Sequence, residues 1–141
     1  MKTYLSLGAN LGAREATINQ AVHLISQQAG TLIQRSAFFY SQPWGFESEH
    51  EFCNLCICID TPLAPLDLLH TLQSIEIHLG RHRPPQSPIT NIYHDRPIDI
   101  DIILYEGVEL HTPELTIPHP LYRQRDFVLI PLRELLPSLP L

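Results

Sequence analysis

Residues 96–107 read RPIDIDIILYEG, and this stretch restricts the fold more than any other. Successive residues of a β-strand point to opposite faces of a sheet. Ile98, Ile100 and Ile102 therefore share one face, and Asp99 and Asp101 share the other. At ~3.3 Å per residue the two carboxylates stand about 6.6 Å apart along the chain. The isoleucine face calls for a layer packed on it. The carboxylate face cannot be buried unpaired without a large cost. Two carboxylates with no basic residue between them suit a hard cation with oxygen ligands. The bland alternative is an exposed strand face on which Asp is tolerated, since a lone D-x-D recurs by chance.

The remaining periodic segments define the layers. TYLSLGAN reads as a strand ending at Gly8, and REATINQAVHLISQQAG as a helix with Ile18, Ala21, Val22 and Ile25 inward and Gly30 as its stop. TLIQRSAFFYSQ and FCNLCICID read as strands separated by the loop PWGFESEHE. In APLDLLHTLQSIEIHLG the spacing predicts a helix with Leu66, Leu69, Leu72, Ile75 and Leu79 as its stripe and Gly80 at its end. FVLIPLRELLP contains a short final helix. The order β-α-β-β-α-β predicts an α+β fold of the ferredoxin-like split βαβ kind, with added C-terminal elements. An antiparallel-dominated sheet would lie under two helices, its other face left for a ligand or for later segments. With 141 residues and no internal repeat, one domain spanning 1–141 is expected.

Composition narrows the partners. A net charge of −6 argues against a broad nucleic-acid surface. Apolar runs such as IDIILY are too short and interrupted to span a bilayer, so no membrane partner is expected. No basic, apolar leader opens the chain, so a cytoplasmic protein is expected. A monomer is expected, with a weak dimer as the alternative. Cys53, Cys56 and Cys58 sit close together, but alternation turns Cys53 away from the other two. They read as small buried thiols rather than a metal site.

The surroundings of the aspartates carry the chemistry. Of nine Lys and Arg, Arg81, Arg83 and Arg96 flank one proline-rich loop that leads into the strand, with His82 and His94 beside them. Arginine suits bidentate contact with phosphate oxygens. A carboxylate-held metal facing loop arginines is how phosphoryl-transfer sites neutralise developing charge. The loop has no clean apolar period, and closure over bound ligands is expected of it. His119 lies between two prolines that fix its backbone, and Arg123, Arg125 and Phe127 follow. Phe52 and Asn54 share a strand face, offering a ring and an amide to a flat heterocycle. Each feature alone also fits a surface loop, a turn histidine or an aromatic core contact.

Together, YLSLGANLG, FYSQPWGF, EFCN, QSIEIHLGRHR, DRPIDIDIILY and LTIPHPLYRQRDFVLIPL resemble the 6-hydroxymethyl-7,8-dihydropterin pyrophosphokinase family, in its order and over nearly the whole chain. R-x-I-D-I-D followed by P-H-x(5)-R-x-F is the specific combination. The resemblance implies transfer of pyrophosphate from ATP to the pterin hydroxymethyl group, leaving AMP, as a step of folate biosynthesis. It implies Asp99 and Asp101 as ligands of two Mg²⁺ ions, and Arg81 and Arg96 as catalytic loop arginines. It implies Gln73, Glu76, Arg83, His119 and Arg125 on the ATP side. Phe52 and Phe127 would sandwich the pterin, Asn54 would read its edge, and backbone groups near Pro43, Trp44 and Gly45 would contact it. Tyr93-His94-Asp95 departs from the usual Trp-Gly-Pro, and Gln42 stands where a small residue is common. Two other classes meet the residue pattern without the resemblance: a non-catalytic ligand-binding module and a nucleotidyl transferase.

Overall fold

A computed structural model of the chain describes residues 1–42, 51–80 and 97–138. The chain runs β1 (Lys2–Ala9), α1 (Arg14–Gln28), β2 (Thr31–Arg35), β3 (Phe39–Ser41), β4 (Phe52–Asp60), α2 (Pro65–His78), β5 (Asp99–Tyr105), β6 (Leu110–His111), β7 (Thr116–Ile117) and α3 (Asp126–Leu135). The main sheet has the order β2-β4-β1-β5, every pairing antiparallel, and β3 extends it beside β4. A two-stranded β6-β7 ribbon follows β5.

The alternation of β4 and β5 separates two apolar clusters. Leu55, Ile57, Ile59, Ile100 and Ile102 pack with Leu5 and Leu7 against α1 and α2. The opposite face carries Cys56, Cys58 and Ile103, covered by Tyr122 and by Val128, Leu132 and Leu135 of α3. Cys53 lies with the first cluster and Cys56 with the second, and all three thiols are free and buried. Each fully buried Leu or Ile contributes roughly 1.5–3 kcal/mol, so the sheet is held from both sides. The α3 layer covers the part of its face that begins at Tyr4, Cys56 and Ile103. Among the described residues no helix is long and apolar enough to cross a membrane.

Ile18, Ala21, Val22 and Ile25 are the buried residues of α1, as their spacing requires. Gly80 adopts φ +103° just past α2, a conformation that L side chains rarely take. Two expectations need correction. The segment 31–42 is two strands, because Ser36 breaks it: its N–H donates to the Cys56 carbonyl, and its own hydroxyl accepts from Cys56 N–H at 3.0 Å. The side-chain oxygen takes the place of a ladder carbonyl there. In α2 the inward stripe is Leu68, Leu72 and Ile75 with Glu76, and Leu66 is exposed. The segment PLDLLH offers leucines to two helix faces, and contact with the sheet selects the one bearing Leu68.

Candidate active site

Strand register assembles the site. Gly8 of β1 lies opposite Asn54 of β4 on one side and Asp99 of β5 on the other. One step along, Ser6 lies between Cys56 and Asp101. Phe39 and Ser41 of β3 extend the row next to Asn54 and Phe52. All of these point to the face that carries α3. Two strand spacings separate Asn54 from Asp99, about 10 Å across the sheet. The amide and the carboxylates therefore stand on one surface, with Gly8 between them.

The carboxylate end is a cluster of charge. Burial, the negative charge of Asp99 and that of Glu76 hold the Asp101 carboxyl well above the usual carboxylate range, while Arg125 opposes the rise. Asp99 also hydrogen-bonds Asp101, so the pair readily holds a proton. Glu76 is 1% exposed, and its Oε2 accepts from the Ile100 N–H at 2.7 Å. The bond has a structural reason. β5 is an edge strand, and an outward N–H there would otherwise be buried without an acceptor under α2.

His119 and Arg125 come from the segment that leads into α3. The His119 N–H donates to the Ile103 carbonyl at 2.9 Å, which pins this segment to β5. The Leu121 N–H donates to His119 Nδ1 at 3.3 Å, which leaves the neutral ring's proton on Nε2. Burial and the Arg125 charge push the His119 pKa down to about 4, against a smaller upward pull from Asp99. Arg125 is buried immediately before α3, and its guanidinium lies 5.8 Å from the centroid of the Phe127 ring.

Beside the carboxylates is a cavity of about 290 Å³, lined among others by Leu69, Gln73, Ile102, Thr116, His119 and Asp101. Leu69, Thr112, Leu115 and Thr116 line it without having been read from the sequence as site residues. The short β6-β7 ribbon that delivers Thr112 and Thr116 to the cavity has too little periodicity to signal itself.

The structure thus brings Asp99, Asp101, Glu76, Arg125 and His119 together, with Gln73 on the cavity wall. Phe52 and Asn54 stand on the same face, and Phe127 packs at the edge of the α3 cluster. Arg81, Arg83, Tyr93, Arg96, Pro43, Trp44 and Gly45 lie outside the described residues.

An antiparallel sheet with a carboxylate pair beside a cavity of this size suits phosphoryl-transfer chemistry. The chain belongs to the 7,8-dihydro-6-hydroxymethylpterin-pyrophosphokinase (HPPK) family, whose model matches residues 4–137. Its activity is the transfer of pyrophosphate from ATP to hydroxymethyldihydropterin in folate biosynthesis. It is 44% identical over 137 residues to a 2-amino-4-hydroxy-6-hydroxymethyldihydropteridine pyrophosphokinase of Porphyromonas gingivalis, covering 96% of this chain and 91% of that protein. Enzymes of the same name are similar in Methylorubrum extorquens (39%, covering 98% of this chain and 84% of that protein) and in Bacillus subtilis (37%, 94% and 76%). Among solved structures, an HPPK-DHPS in complex with substrates matches 99% of the chain with a TM-score of 0.74 at 15% identity. A Plasmodium falciparum HPPK-DHPS matches 96% with a TM-score of 0.67 at 16% identity. The chain spans 40% of the length of each of these two, and the likeness extends to the fold.

Proposed function

We propose that Asp99 and Asp101 hold Mg²⁺ and that pyrophosphoryl transfer takes place at their end of the sheet. The observation that carries this is the half-buried Asp101, on the same strand face as Asp99 and hydrogen-bonded to it, at the wall of the cavity that Gln73 and His119 also line. The donor set fits Mg²⁺, which takes one or two carboxylates and completes its shell with water and substrate phosphates. Two Mg²⁺ ions, when bound, neutralise charge on the ATP phosphates and make the pterin hydroxyl easier to deprotonate.

The chain's own groups do the rest. The nucleoside of ATP occupies the cavity against Leu69 and Ile102, with Gln73 in reach. His119 offers Nε2–H to a phosphate oxygen, and its depressed pKa keeps it a neutral donor. Arg125 adds fixed positive charge, and Glu76 holds β5 in place from α2. Arg81, Arg83 and Arg96 meet the triphosphate from the loop, outside the described residues. The pterin lies between Phe52 and Phe127, its edge read by Asn54 and by backbone near Pro43, Trp44 and Gly45. Its hydroxymethyl oxygen then attacks the β-phosphorus, the bond from that phosphorus to the bridging α,β-oxygen breaks, and AMP leaves.

The wider assignment follows. The strand order supports the ferredoxin-like split βαβ fold and a single domain over 1–141. A monomer is the proposed oligomeric state. Three free cysteines suit the reducing cytoplasm. The test is AMP release from ATP, measured with and without the pterin and with and without Mg²⁺. Release only when both are present is expected, and release independent of Mg²⁺ would overturn the metal assignment.

A further inference from the structure

Asn54 is 2% exposed, yet its amide is satisfied at only one end. Nδ2 donates to the Phe39 carbonyl at 3.2 Å and to Ser41 Oγ at 2.9 Å. A carbonyl can only accept, so these bonds fix which end of the amide is the nitrogen. The oxygen is then turned toward β1. Among the described residues nothing donates to it. The oxygen is not sealed from solvent, so a donor from outside the protein can reach it.

Gly8 makes room for that oxygen. A Cβ at position 8 would stand 2.8 Å from Asn54 Oδ1 and 3.7 Å from Phe52 Cδ1. The first distance is closer than real side chains approach, and the amide is not free to swing away because Nδ2 is bonded twice. Gly8 also lies in register between Asn54 and Asp99, so the gap it leaves is the floor of the surface between amide and carboxylates.

We propose that Gly8 and Ser41 are positioning residues that fix the Asn54 amide with its carbonyl presented to substrate, so that Asn54 reads an N–H donor on the pterin edge. Ser41 locks the nitrogen from β3, and Gly8 keeps the space for the oxygen from β1. The assignment rests on Asn54 as the pterin-reading residue, and it adds the two groups that set which atom does the reading. A heterocycle that turned a lone pair to this position would meet a second acceptor and be rejected.

The test is pterin affinity in the presence of Mg²⁺ and α,β-methylene ATP, with the affinity for Mg²⁺-bound analogue alone measured beside it. Gly8→Ala is expected to weaken pterin binding about tenfold or more, the scale of one lost buried hydrogen bond, and to leave nucleotide affinity within about twofold. Ser41→Ala should weaken it several-fold, and Ser41→Thr, which keeps a hydroxyl, should restore it. In an Asn54→Ala background, neither Gly8→Ala nor Ser41→Ala should weaken it further, because both act through the amide. A general structural defect would lower nucleotide affinity too and would not be rescued by Thr. Should Gly8→Ala not fold, the Ser41 pair decides. If Asn54→Ala binds pterin normally, the reading of Asn54 fails. If Asn54→Ala weakens binding while Ser41→Ala and a folded Gly8→Ala do not, the positioning role is overturned and Asn54 stands.

Discussion

At the scale of single residues, His119 has a measurable consequence. Its pKa is depressed to about 4, by burial first and by Arg125 next, with Asp99 pulling the other way. In the unfolded chain it returns to its ordinary value near 6.5. Between these values the unfolded state binds a proton that the folded state refuses, so stability is full above about pH 6.5 and falls as pH drops toward 4. The loss attributable to His119 between pH 7 and 5 is at most about 2 kcal/mol. Urea unfolding of wild type and His119→Gln at these two pH values checks this. The variant should lose less stability on acidification, and an equal loss would count against the buried neutral ring. Asp101 has the opposite sign, since its carboxyl is raised and favours the proton. Under the proposed Mg²⁺ assignment metal and proton would compete there, and added Mg²⁺ should move the acid limb of the activity profile to lower pH.

At the scale of elements, α2 and β5 are joined through one buried carboxylate. Glu76→Ala leaves the Ile100 N–H without its acceptor and should cost about 1–3 kcal/mol. In a chain of this size that corresponds to a Tm lower by roughly 2–12 °C. Glu76→Gln keeps an acceptor and removes a negative charge beside Asp101, so its Tm should match wild type or exceed it. Equal melting of the Ala and Gln variants would show that the bond does not matter. Much of this level was legible in the sequence, because the alternation of FCNLCICID and IDIDIILY sets both sheet faces without reference to anything distant. What was illegible depends on tertiary contact. Leu66 and Leu68 are equally apolar, and only packing on the sheet chooses between them. Ser36 breaks its strand through a bond to Cys56, twenty residues away, and no local pattern announces that.

At the scale of the whole molecule, α1 and α2 close one sheet face, and α3 closes part of the other and leaves a working end. The residues gathered there come from β1, β3, β4, β5, α2 and the approach to α3. The carboxylate pair was legible because it breaks a strand's apolar habit. Gly8 and Ser41 were not, because their importance lies in cross-strand register with Asn54. Phe127→Ala should weaken pterin binding by roughly the 0.5–1.5 kcal/mol that aromatic stacking is worth, with Mg-ATP binding largely unchanged. Titration of pterin in the presence of α,β-methylene ATP checks it, and equal affinity for wild type and variant would remove the sandwich.

The central claim is that Asp99 and Asp101 form the metal-dependent reaction centre. Single-turnover formation of AMP from ATP and hydroxymethyldihydropterin at saturating Mg²⁺ tests it most directly, in Asp99→Asn and Asp101→Asn variants whose melting matches or exceeds wild type. Each variant should lose a factor of about 10² or more in rate, the scale of removing one electrostatic stabiliser of a transition state. Near-normal turnover in either folded variant would contradict the account.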